Sequence, residues 1–200
     1  MPKDPDLTTR LGGWLFRHRT LVPGPIALVI ATVPGGESAS PFLIGAGVAT
    51  TVVGELIRLW GVYHIGAISR TRSERLGPLV ASGPFALVRN PLYVANILLW
   101  VGFAIAARML WLAPIILVLL ALEYHAIVRW EEMLLESRLG QAYHEYAARV
   151  PRWIPSFNRG DRGLRRAKNG FSWRATLFSE RGTFVAMIAG YVLLWLKARS

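Results

Sequence analysis

Asn90–Ala107 reads NPLYVANILLWVGFAIAA, eighteen residues without Asp, Glu, Lys or Arg. A single Arg108 follows, and Met109–Leu122 (MLWLAPIILVLLAL) adds fourteen more such residues. The apolar character then continues through Glu123 to Val128. A membrane crossing needs roughly 20 mostly apolar residues, within about 17–25. This stretch therefore reads as two crossings joined at Arg108, a tight helical hairpin. Working outward, Thr20–Gly36 and Ser38–Gly54 are charge-free runs of 17 residues each, the second staying apolar to Trp60. Gly182–Leu196 is a shorter run of 15. The expected fold class is all-α: a polytopic membrane protein with about five transmembrane helices, near 20–36, 40–60, 91–107, 109–128 and 182–197. The last is marginal in length. One domain is expected over 1–200.

Composition agrees. Hydrophobic residues make up 53% of the 200-residue chain and charged residues 18%, with a mean hydropathy of +0.37. A soluble domain this small has too little interior to hide so much apolar side chain. The absence of cysteine excludes a disulfide scaffold. The net charge of +11 fits an anionic membrane surface or nucleic acid, and the apolar content favours the membrane. In the basic stretch 158–168 (NRGDRGLRRAK) the aromatics lie outside the charge cluster. It reads as a solvated loop near anionic headgroups, not as a nucleic-acid platform.

Basic residues set the orientation. Lys3, Arg10, Arg17 and Arg19 precede the first run, and no small-residue cleavage site follows it, so no cleaved signal is expected. Arg70, Arg72, Arg75 and Arg89 fill the segment after the second run, and eleven arginines and lysines lie in 129–181. The N-terminus and both long segments are thus expected in the cytoplasm. Lys197 and Arg199 at the far tip run against the trend. Both long segments attach to the hairpin, so a site built from 70–93 and 123–155 would converge at its cytoplasmic mouth. The richness in Arg, Ala and Leu suggests a bacterial inner membrane.

Two stretches carry chemistry. Leu79–Ala95 reads LVASGPFALVRNPLYVA. Ser82-Gly83-Pro84 is a turn, and Asn90-Pro91 opens the third helix, where proline is well tolerated. A helix start with Arg89 before it suits an anion, though Arg89 also serves as a topology signal. Arg129–Pro155 reads RWEEMLLESRLGQAYHEYAARVPRWIP. It predicts an amphipathic helix leaving the fourth span along the membrane surface, interrupted at Gly140 and ended by Pro151 and Pro155. Glu131 and Glu132 either solvate that helix or hold an ammonium and a ribose diol. Glu123 is an ionisable group within the fourth span, a candidate for function by position alone. Glu55 and Arg58, three apart in the second span, form an expected pair. His64 and His125 have no second ligand at a metal spacing, so no metal is expected.

Gly83-Pro84-Phe85 with Arg89-Asn90-Pro91-Leu92-Tyr93 resembles the GPY…RHPxY signature of the integral-membrane methyltransferases, which comprise the isoprenylcysteine carboxyl methyltransferases and the phospholipid N-methyltransferases. The block Glu131-Glu132-x-x-Leu135-x-x-x-Leu139-Gly140-x-x-Tyr143-x-x-Tyr146, followed by Val150-Pro151-Arg152, is similar to their EExxLxxxFGxxYxxY. Leu56-Ile57-Arg58-Leu59-Trp60 also looks familial, so the resemblance covers about 55–157. It implies S-adenosylmethionine, with S-adenosylhomocysteine as product, held by Leu79, Val80, Gly83, Arg89, Pro91, Tyr93, Glu131 and Glu132. Asn90 and Glu123 stand as candidate catalytic residues. The implied acceptor is lipophilic and membrane-resident: an isoprenylcysteine-type carboxylate or a phospholipid amine. Asn90 takes the place of the family's His, Phe85 that of its Tyr and Leu139 that of its Phe. An amide can orient a group but cannot take its proton near neutral pH. Two other readings are an NADPH-dependent sterol-type membrane reductase and a non-catalytic protein that has kept the fold.

Overall fold

The computed structural model describes residues 6–36, 40–66, 79–157 and 172–199. These form seven α-helices: α1 (Leu7–Arg17), α2 (Pro23–Thr32), α3 (Pro41–Ile65), α4 (Pro91–Ala106), α5 (Leu112–Leu139), α6 (Gln141–Arg149) and α7 (Trp173–Lys197). A 3₁₀ turn spans Gly83–Ala86. No strand occurs among the described residues, as the apolar periodicity requires. Stretches 67–78 and 158–168, on which the cytoplasmic loop and headgroup expectations rest, lie outside them.

The punctuation is local. Pro23, Pro41 and Pro91 stand at helix starts, where the missing N–H costs nothing. Asp6 caps α1 by accepting from the Thr9 N–H at 2.8 Å. Ser172 caps α7 through the Ala175 N–H. The α4–α5 hairpin turns at Arg108, the one described non-glycine residue with positive φ (61°). Gly140, at φ 51°, breaks α5 from α6.

The span pattern differs from the sequence expectation at both ends. α3, α5 and α7 are long and apolar enough to cross a membrane; α2 and α4 are apolar but shorter. At about 1.5 Å per residue, the ten residues of α2 reach about 15 Å, half a hydrocarbon core of about 30 Å. Pro23 starts this helix late and Pro34 follows its end closely, so a charge-free run of 17 yields only a half-length helix. α7 goes the other way. It begins nine residues before the expected start, because Glu180 and Arg181 interrupt the charge-free run without interrupting the helix. α5 also continues, as one 28-residue helix, through the point where a separate surface helix was expected.

Close packing of small residues holds α3 on α4. A methyl group on Gly102 would stand 2.3 Å from Thr51 Oγ1, and one on Gly47 2.4 Å from the Ala106 nitrogen. Without a hydrophobic drive between helices in lipid, such backbone approach is what binds them. We expect Gly102→Val to cost several kcal/mol by overpacking and to broaden or abolish the melting transition in detergent. Gly45→Ala, where nothing lies within 4 Å, should melt like the wild type.

The remaining helices pack around this pair. α1 lies on α5, with Gly12 against the Ala126 carbonyl and Gly13 against Trp130, and with Asp6 paired to Arg129 at 3.0 Å. α7 docks through the Tyr191 hydroxyl, which donates to Thr51 Oγ1 at 2.7 Å. At its far end Lys197 donates to the Ile30 and Val33 carbonyls that close α2.

Candidate active site

The two chemistry-bearing stretches meet as a zipper. Gly83 takes φ +60°, and a Cβ there would fall 2.3 Å from the His64 ring, so only glycine fits the turn. The Tyr146 hydroxyl donates to the Phe85 carbonyl at 2.8 Å. The Arg89 N–H donates to the Pro151 carbonyl at 2.9 Å, and the Ser156 N–H to the Leu87 carbonyl at 2.9 Å. The Asn90 side-chain amide donates to the Arg152 carbonyl at 3.1 Å.

Glu132 is the clasp of this zipper. Its Oε1 lies 2.8 Å from Arg89 Nη1. Arg152 meets it twice, Nη2 at 2.6 Å and Nε at 3.1 Å. The hydrogen bond to Glu132 raises Arg152 above its ordinary pKa. Tyr143, buried beside this clasp, is pushed up to about 12, chiefly by burial.

Glu131 points elsewhere. Its Oε1 accepts from the Tyr93 hydroxyl at 2.9 Å, and the Tyr93 ring packs on Tyr124 with centroids 4.7 Å apart. Both residues line a cavity of about 910 Å³. Leu79, Val80, Arg89, Asn90 and Pro91 also line it, at the same end. Deeper in, Arg58, Asn96 and Glu180 form a polar cluster in the wall. Arg58 Nη2 donates to Glu180 Oε2 at 2.8 Å and Nε at 3.2 Å, and Nη1 donates to Asn96 Oδ1. The Thr183 hydroxyl joins Glu180 at 2.9 Å. Beyond this cluster the walls are apolar, with Ala27, Ile30 and Ala31 on one side and Met187, Gly190 and Leu194 on the other.

Of the residues singled out in sequence, Leu79, Val80, Arg89, Asn90, Pro91, Tyr93 and Glu131 share the cavity wall. Gly83, Glu132 and Glu123 are outside it. Gly83 shapes the turn and Glu132 braces it. Glu123 is 4% exposed, and its carboxylate has no hydrogen-bond partner among the described residues. The expected Glu55–Arg58 pair is present at 3.6 Å, but Glu180 makes the shorter contact. Arg19, Asn96 and Glu180 were not foreseen in the wall. Arg19 stands among the N-terminal basic residues that set the orientation, and Glu180 lies two residues before the run Gly182–Leu196, so neither position by itself points to a wall. An isolated carboxylate beside a long apolar run was the available signal for Glu180. Among the described residues no cluster of His, Cys, Asp or Glu has the form of a metal site.

Residues 42–142, about half of the chain, match the phospholipid methyltransferase family. The chain is 31% identical over 164 residues to the cobalt-zinc-cadmium resistance protein CzcN of Cupriavidus metallidurans, covering 78% of this chain and 73% of that one. It is also 31% identical over 152 residues to the nickel-cobalt-cadmium resistance protein NccN of Alcaligenes xylosoxydans xylosoxydans, covering 72% and 68%. No solved structure matches it.

Proposed function

The chain belongs to the phospholipid methyltransferase family, and we propose from that membership and from the cavity that it moves a methyl group from S-adenosylmethionine to a lipophilic acceptor within the bilayer. The observation that carries this reading is one cavity with two unlike ends. At the zipper end sit a carboxylate, a phenol and a guanidinium (Glu131, Tyr93 and Arg89). At the other end the walls are apolar and lie among membrane helices.

The cofactor's groups suit the zipper end. Its ammonium or ribose hydroxyls need an acceptor, and Glu131 offers the carboxylate oxygen that Tyr93 does not occupy. Its carboxylate needs a donor, and the buried Arg89 Nε has no protein partner among the described residues. When bound, S-adenosylmethionine supplies a methyl group activated on a sulfonium. The chain's own part is positioning. Tyr93 fixes the Glu131 carboxylate, the Glu132 clasp fixes Arg89, and the apolar walls of the deeper cavity disfavour water there. Such pre-ordering and exclusion of water can lower the barrier by several kcal/mol.

No base is assigned. The Asn90 amide is held by the Arg152 carbonyl, and Glu123 lies off the cavity. We accordingly expect Glu123→Gln to leave turnover within about twofold and the melting temperature equal or higher, because it neutralises a buried, unpartnered carboxylate. A large drop in kcat with an unchanged melting temperature would restore Glu123 as the base for an amine acceptor.

Incubating the purified protein in nanodiscs of bacterial lipid with isotopically labelled S-adenosylmethionine, followed by lipid mass spectrometry, tests the reaction. A labelled methyl on a lipid is the expected result. No labelled lipid, together with a response to NADPH and none to S-adenosylhomocysteine, would favour the reductase reading. The excess of Lys and Arg in the segments flanking the site supports a cytoplasmic orientation in a bacterial inner membrane. A cysteine at Ser137 should then label from the cytoplasm and one at Trp111 from the opposite side.

A further inference from the structure

Among the described residues three arginines line the cavity: Arg19, Arg58 and Arg89. Two are engaged by the protein, Arg58 by Glu180 and Asn96 and Arg89 by Glu132. Arg19 differs. Among the described residues it forms no ion pair and no hydrogen bond, and its guanidinium packs 5.6 Å from the centre of the Phe16 ring. It is half-buried on the cavity wall, where a bound anion can meet its charge.

Its position is built. α1 is seated on α5 by Gly12 and Gly13, where a Cβ would collide with the Ala126 carbonyl or the Trp130 ring. The chain then turns through hydrogen bonds from the His18 N–H to the Leu15 carbonyl and from the Leu21 N–H to the His18 carbonyl. The turn delivers Arg19 to the cavity wall that Tyr93, Tyr124 and Glu131 also line. From the same turn Pro23, Ala27, Ile30 and Ala31 continue along the cavity as one face of α2, at helical spacing. α7 faces them with small and apolar residues. The cation therefore stands at the head of an apolar groove about as long as α2, about 15 Å. Arg19 also lies outside residues 42–142 matched by the family, so the shared motifs do not account for it.

We propose that Arg19 binds the anionic group of an amphiphile, a phosphodiester whose hydrocarbon chain lies in the groove between α2 and α7. A guanidinium fork suits the paired oxygens of a phosphodiester. The groove selects a lipid over a soluble phosphate, and the nearness to Tyr93 and Glu131 brings the lipid headgroup beside the cofactor end. The inference concerns binding and stands whether or not a methyl group is transferred.

Native mass spectrometry of the full chain in neutral detergent tests it, with dioleoyl phosphatidylethanolamine and dioleoylglycerol as probes. Arg19→Ala and Arg19→Gln should weaken phosphatidylethanolamine binding at least about tenfold, leave dioleoylglycerol binding unchanged and leave S-adenosylhomocysteine affinity unchanged. Arg19→Lys should retain part of the binding. Arg17→Ala, at an exposed position of α1 outside the cavity, should bind like the wild type. Equal loss for both lipids would make Arg19 a packing residue, and loss of S-adenosylhomocysteine affinity would assign it to the cofactor. Displacement of the lipid by millimolar inorganic phosphate would make the ligand a soluble anion. No loss in either the Ala or the Gln variant would remove the site. Each of these four results overturns the proposal.

Discussion

Glu132→Ala should unfold the site, whereas Glu131→Gln should leave the protein folded and empty it of cofactor. The two carboxylates are neighbours in sequence with opposite tasks. Glu132 is bonded to two arginines, and its side chain is 9% exposed. Removing one member of a buried pair while the others remain typically costs about 3–5 kcal/mol. Here two guanidinia lose their partner, and both belong to segments that this clasp ties to α5 beside the apolar packing of Tyr146 and Val150 with Leu135 and Leu139. Against a total stability of about 5–15 kcal/mol, that loss is large. The melting temperature in detergent should fall steeply, or the variant should not be recovered folded. Glu131→Gln keeps the size and can still bond Tyr93, so melting should be nearly unchanged. It removes the charge that the cofactor would meet, and loss of a charge-assisted contact of about 1.5–3 kcal/mol weakens binding at least tenfold. Calorimetry with S-adenosylhomocysteine reads this directly. If Glu131→Gln binds normally while Glu132→Ala folds but does not bind, the roles are reversed.

Glu180→Ala should detach α7 from the bundle. Glu180 meets Arg58 at 2.8 Å with 1% of its side chain exposed, and Arg58 is 18% exposed. Among the described residues α7 is also held by the Tyr191–Thr51 bond, the Lys197 contacts to α2 and the ring contacts of Trp173 with Tyr63 and of Tyr191 with Phe103. Arg58 would keep the longer contact to Glu55 at 3.6 Å, so the loss lies toward the lower end of the about 3–5 kcal/mol of breaking a buried pair. Limited proteolysis should cut α7 faster, and acceptor turnover should fall far more than S-adenosylhomocysteine affinity, since α7 walls the deep end of the cavity and not the zipper end. The exchange Arg58→Glu with Glu180→Arg should recover part of the melting temperature, because the pair is remade in reverse. A melting temperature and cleavage rate unchanged in Glu180→Ala would show that the pair does not hold α7.

How far the sequence reaches can be read residue by residue. The runs on either side of Arg108 decided the hairpin by themselves, because a bilayer leaves an apolar segment of that length little choice but a helix with its backbone bonds closed internally. The Gly140 break, the Pro91 helix start and the Gly83 turn were likewise legible, since each depends on one residue's own backbone limits. The convergence of 79–93 with 129–155 followed from chain connectivity: both are tied to the ends of one hairpin.

Other features depended on direction and distance, which a linear pattern does not carry. Glu131 and Glu132 looked like one paired carboxylate site, yet successive helical residues point about 100° apart. Only the packing of α5 decided that the first would face the cavity and the second the clasp. The length of α2 was set by where Pro23 and Pro34 stand, not by how far the charge-free run extends. Arg19 and Glu180 lie beside charge-free runs, and a charge beside such a run carries no sign of the direction it will face. In the fold, the docking of α1 on α5 and of α7 on α3 turns both inward. The membrane, the hairpin and the two motif blocks were determined by the sequence, because each rests on local chemistry. The cavity, and which charges face it, was decided by tertiary structure, because residues such as Arg58 and Glu180, 122 positions apart, meet there only once the helices have packed.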